Sequence, residues 1–195
     1  MGIAEIAARA RDAVPVIPAA LIADVGISGV GDLAFNDSGR SAFIAPLTGV
    51  PSPGNRVILS SVGATRNYTL VARTGNPSPT SGGAPFSFIT APSINGAGDV
   101  AFFSNMSVAP FFGLFVKPAG GALQTVVAAG DPAPGMPAGW MHTSFVGQNS
   151  GPPHMNSAGQ YVIAGGAAAP GGFPNSVGVW RGAPGAFQLL EQSQT

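Results

Sequence analysis

Ile94-Asn95-Gly96-Ala97-Gly98-Asp99-Val100-Ala101-Phe102 decides the reading of this chain, because its pattern occurs three times. The other copies are Phe35-Asn36-Asp37-Ser38-Gly39-Arg40-Ser41-Ala42-Phe43 and Met155-Asn156-Ser157-Ala158-Gly159-Gln160-Tyr161-Val162-Ile163. Each runs apolar, Asn, two small or polar residues, Gly, two further residues, then two apolar positions. Asn36 and Asn95 lie 59 residues apart, Asn95 and Asn156 61. An Asn side chain can bond the backbone two residues on, and Gly tolerates positive φ, so Asn-x-x-Gly closes a tight turn. The flanking apolar positions then lie on the two strands of a hairpin. Asn36, Gly39, Asn95, Gly98, Asn156 and Gly159 are read as structural turn residues.

A second landmark keeps the same beat. Val71-Ala72-Arg73-Thr74-Gly75-Asn76-Pro77-Ser78-Pro79 matches Val126-Val127-Ala128-Ala129-Gly130-Asp131-Pro132-Ala133-Pro134 at a shift of 55, and Ala7 to Pro15 matches that second copy at a shift of 119. Gly113-Leu114-Phe115-Val116 pairs likewise with Gly178-Val179-Trp180-Arg181. Further strands are expected near Val57–Leu59, Leu114–Val116 and Val179–Trp180, and near Tyr68–Ala72, Leu123–Ala128 and Phe187–Leu190. Pro-rich loops follow at Pro77–Pro85 and Pro132–Pro137, where Pro cannot extend a ladder. Small Ala42 and Ala101 let a neighbouring sheet approach, and Phe43, Phe102 and Ile163 fill the space between.

The expected fold is all-β: small antiparallel sheets recurring about every 60 residues, propeller-like, with about three blades. One such sheet has two edges and a wet face and is not stable alone; repetition buries the faces. The chain reads as one domain over residues 1–195, with units at 36–94 and 95–155 and partial units at 1–35 and 156–195 that complete one another. Ile3, Ile6, Ala10 and Val14 have helical spacing, so residues 2–14 carry a rival reading as a short helix.

Composition agrees with this architecture. The chain has 29 Gly and 19 Pro among 195 residues, and each costs about 1 and 3 kcal/mol respectively inside a helix, which excludes a bundle or coiled coil. Hydrophobic residues at 45% with zero net charge exclude a disordered chain. Eight Lys and Arg balanced by eight acids give no electrostatic footprint for nucleic acid. No Cys is present, so disulfides and thiolate metal sites are excluded. Glu5, Arg9, Arg11 and Asp12 interrupt any leader-like apolar run, and no stretch reads as a membrane span.

The Asn-x-x-Gly-x-x-Ala-Phe core at 36–43 and 95–102, together with Arg73…Pro77…Pro79 and Gly130-Asp131-Pro132-Ala133-Pro134-Gly135, resembles the bacterial tandem-repeat proteins named for that motif, among the choice-of-anchor surface proteins. The resemblance covers nearly the whole chain. It implies a multi-blade β protein at the cell surface or outside the cell, with no established activity. The third copy departs from the motif, ending Val162-Ile163. The small number of units and the lack of a leader or sorting tail lead to the expectation of a fragment of a longer polypeptide.

Repetition also filters the chemistry: a side chain recurring in each unit is scaffolding, and one found in a single unit is a better functional candidate. The segment from Trp140 to His154 is the least repeat-like. Trp140, His142, Gln148, Asn149 and His154 there are the candidate ligand-binding residues, an aromatic platform with polar groups for a glycan or peptide. No metal is expected, since the spacing of His142 and His154 fits no familiar ligand pattern. The scattered acids, without a Gly-x-Ser-x-Gly elbow or His-Glu-x-x-His, suggest no catalytic residue and no cofactor. Asp131 is assigned to a turn, and Arg73, which shares its position with Arg9, to a recurrent ion pair or a carbonyl cap. The leading expectation is a non-enzymatic surface or matrix scaffold that self-associates or continues in further units. A carbohydrate- or peptide-binding module is the alternative, and a propeller-type hydrolase or lyase the third.

Overall fold

The computed structural model describes residues 8, 10–14, 16–23, 33–62, 67–146, 151–172 and 175–193. Those residues form three antiparallel sheets, each built from five consecutive strands. The first contains β1 (Leu21–Ile22), β2 (Leu33–Phe35), β3 (Arg40–Thr48), β4 (Arg56–Val62) and β5 (Thr69–Arg73). The second contains β6 (Phe86–Ile89), β7 (Ser93–Ile94), β8 (Val100–Met106), β9 (Phe112–Lys117) and β10 (Gln124–Ala128). The third contains β11 (Met141–Phe145), β12 (His154–Met155), β13 (Tyr161–Ala168), β14 (Asn175–Ala183) and β15 (Ala186–Ser193). The order is the same in each, β1-β3-β4-β5 in the first, and no sheet closes into a barrel. The opening strand is split, so that β1 and β2 pair with opposite ends of β3, β6 and β7 with β8, and β11 and β12 with β13.

The expected all-β, three-repeat, propeller-like fold is what forms, but the sheets are cut elsewhere. Each is drawn from one contiguous stretch, 21–73, 86–128 and 141–193, and no described strand of residues 1–35 pairs with one of 156–195. The reason lies in the second landmark. Gly75 N donates to Phe86 O and Phe86 N to Asn76 O; Gly130 and Asp131 do the same with His142, and Arg11 and Asp12 with Ile22. Each Pro-rich segment thus leaves the last strand of one unit and folds onto the first strand of the next. The turn puts Gly75 and Gly130 at φ 82° and 87°, and Arg11 takes φ 68° at the same place. Of the rival helix, Ala10–Val14 form a turn and a bridge to Leu21, and most of the remainder lies outside the described residues.

Side-chain alternation explains the stacking. Val100 to Ser104 on β8 are all buried, because the second sheet is covered on both faces. Phe86, Phe102 and Phe115 point to Ala42, Ile44 and Ile58 of the first sheet. Ala101, Phe103 and Leu114 point to Tyr161, Ile163 and Trp180 of the third. On β13, by contrast, Tyr161 and Ile163 are buried while Val162 is exposed, the period-2 signature of a sheet covered on one face. The far face of the first sheet, with Phe43, Val57 and Leu59, is sealed by Val14, Ile17 and Ala20 of the N-terminal connector.

Candidate functional site

The segment 140–154 is not one loop. Met141–Phe145 is strand β11, the counterpart of β6. Trp140 is half-buried against the core between the second and third sheets. His142 is 2% exposed and occupies the position held by Ile22 and Phe86 in the other sheets. His154 is exposed on β12. His142 lies opposite Ala167 and His154 opposite Val162 on β13. Five residues along a strand separate the two by roughly 16 Å and place them on opposite faces, so they do not form a pair. Gln148 and Asn149 lie outside the described residues. Trp140, His142 and His154 are therefore not brought together, and His142 is a core residue.

The surroundings of His142 are aromatic. Its ring centroid is 4.6 Å from that of Trp180, edge to face, and 5.4 Å from that of Phe145. Neither ring nitrogen has a hydrogen-bond partner among the described residues. Burial favours the neutral imidazole and lowers its pKa to about 4, against a smaller opposing pull from the Asp131 carboxylate. Trp180 is fully buried, and its Nε1 donates to Pro134 O at 2.9 Å, so its one polar atom is satisfied by the connector. Gly178 makes room for that ring: a Cβ there would stand 2.6 Å from Trp180 Cη2, and one at Gly113 3.0 Å from Phe115 Cζ. The sequence pairing of Gly113–Val116 with Gly178–Arg181 is this glycine-under-ring arrangement. Burial and the nearby Asp99 charge push the Tyr161 phenol up to about 12.

The three Asn-x-x-Gly turns meet one another. In each, the Asn Oδ1 accepts the backbone N–H four residues on, at 3.0, 2.9 and 2.9 Å for Asn36, Asn95 and Asn156. The amide nitrogen then reaches across the stack. Asn36 Nδ2 donates to Asn95 O at 2.7 Å, and Asn95 Nδ2 to Asn156 O at 3.5 Å. Asn156 Nδ2 instead donates to Gln160 Oε1 within its own turn. Sequence reasoning assigned these residues to their turns and missed the ladder between them. Asp131 Oδ2 accepts from Ala128 N at 2.7 Å within its turn, and Arg73 Nε donates to Gly54 O at 2.7 Å, the carbonyl cap of its two readings.

Beside the ladder, the first and second sheets enclose a cleft of about 200 Å3 bearing Arg40 and Lys117. A second hollow, about 270 Å3, lies on the outward side of the third sheet and places His154 beside Gln160 and Arg181. Neither Arg40 nor Lys117 was singled out from the sequence, although the repetition filter applies to both. Position 40 is Arg, Asp99 and Gln160 in the three turns, and the pairing across the strands aligns Ser61, Lys117 and Gly182. No group of three or more His, Asp or Glu that could hold a metal occurs among the described residues.

No curated protein matches the chain. Residues 2–195 match the model of a family of unknown function (DUF7453), and the chain belongs to that family over almost its whole length.

Proposed function

We propose that the protein is a non-enzymatic scaffold at the cell surface or in an extracellular matrix, built to extend by stacking sheet on sheet. Its location is inferred from the resemblance to surface repeat proteins. One observation carries the stacking role. Ala42 and Ala101 are fully buried by the next sheet, whereas Val162, their counterpart on the third sheet, is 43% exposed. Val177 and Leu190 are exposed on the same sheet. This is the same sheet side that the first two units bury, and the occupant we assign to it is a second copy of the chain. Apolar surface of this kind on one end of a repeat array favours association with a second copy.

Sedimentation over a range of concentrations tests the proposal. The expected result is a mass that rises with concentration for the wild type and falls to that of a monomer for Val162→Asp. A wild-type chain that stays monomeric at every concentration would overturn it.

A further inference from the structure

We infer that the cleft between the first and second sheets binds an oxyanion, a carboxylate or phosphate group carried by a small ligand. This site is independent of the stacking face on the third sheet. The first sheet contributes Arg40, Ser60 and Thr69 to the cleft, and the second contributes Gly98 and Lys117. Among the described residues, the lining holds two cationic side chains and no carboxylate. In a chain with only eight Lys and Arg and zero net charge, that convergence is a local concentration of positive potential.

Both cations have donors to offer. Arg40 is half-buried, and among the described residues no acceptor engages its guanidinium. The side chain lies along Gly98, where a Cβ would come within 2.8 Å of Arg40 Cδ and 3.1 Å of Cζ. Lys117 Nζ donates to Gly121 O and keeps two further protons. The carboxylate on the adjoining turn is already engaged. Asp99 Oδ2 accepts from Asn95 Nδ2 and Oδ1 from Ala119 N, both at 2.9 Å. A half-buried planar fork that no described acceptor engages, beside an ammonium and two hydroxyls, matches the geometry of a carboxylate or phosphate.

The scaffold does not require these charges. The third turn carries Gln160 in place of Arg40, the second Asp99, and Lys117 is replaced by Ser61 and Gly182. The cleft volume of about 200 Å3 suits one such group with a short carrier, not an extended polymer.

Calorimetric titration of the full chain with inorganic phosphate, and separately with galacturonate, tests the inference at fixed ionic strength. Saturable binding of at least one probe is expected, weakened about tenfold by Arg40→Gln and less by Lys117→Gln, as loss of a charged hydrogen bond implies. Phosphate alone would identify phosphate esters as ligands, galacturonate alone acidic sugars, and both an unselective oxyanion site. Backbone amide shifts of Gly98 and Gly120 in the wild type give a readout that survives if a variant misfolds. Absence of saturation by either probe up to about 50 mM, weaker than any useful recognition, would overturn the inference. So would wild-type affinity in Arg40→Gln, or unmoved Gly98 and Gly120 amides.

Discussion

The junction between the first and second sheets and that between the second and third are the same structure filled differently. In the first, Phe86 sits edge-on to Phe102 and Phe115, with centroids 5.8 and 5.1 Å away. In the second the equivalent strand position is His142, edge-on to Trp180. At this position the first junction is filled by packed Phe rings, which carry no titratable group. The second holds a titratable ring without hydrogen-bond partners among the described residues, beside an indole whose N–H is tied to the connector. One backbone arrangement therefore accepts both fillings, and only the second couples packing to protons.

The largest effect should come from removing the ring that fills the second junction. Trp180→Ala leaves a cavity under Gly178 and an orphaned Pro134 carbonyl, and should cost about 3–5 kcal/mol in denaturant unfolding. A loss below about 1 kcal/mol would mean that the third sheet is held some other way.

Next comes the pH comparison. His142 has a folded pKa of about 4 against 6.5 unfolded, so the unfolded chain takes up the proton first. Stability is then full above about 6.5 and falls as pH drops toward 4, by on the order of 3 kcal/mol. His142→Phe, which copies the first junction, should remove that part of the slope; a melting curve series that keeps the slope would assign it elsewhere.

The smallest effect separates the turns. Asn95→Ala loses its turn bonds and the reach to Asn156 O, and should cost about 1–2 kcal/mol. Asn156→Ala loses bonds within its turn but no donation onward, and should cost less, about 0.5–1 kcal/mol. Equal losses in thermal melts would show that the inter-sheet step of the ladder contributes nothing.

Much of this architecture was legible because turn chemistry is local. Asn36, Asn95 and Asn156 fix their hairpins through their own backbone, and the strands after them follow from alternation and glycine. The opening strands were not legible. Leu21–Ile22, Phe86–Ile89 and Met141–Phe145 share no side-chain pattern, since the connector places them by main-chain bonds that any residue can make. Those bonds fix the sheet boundaries, so units counted from the Asn turns start too late. His142 was read as loop for the same reason, although counting ten or eleven residues on from Asn76 and Asp131 aligns it with buried Phe86. The Arg40–Lys117 cleft joins residues 77 apart that approach only when two sheets stack, which no single-chain spacing rule reveals.

The connectors carry one consequence for how such chains can change length. Gly75 and Gly130 make the same main-chain bonds to the strand that follows them, so they are interchangeable splice points. Excising the 55-residue cassette between them, or duplicating it, joins backbone to backbone without a new turn having to be invented. The array is thus quantised: it grows or shrinks by whole cassettes, and the demand on sequence after each event falls on the facing side chains alone.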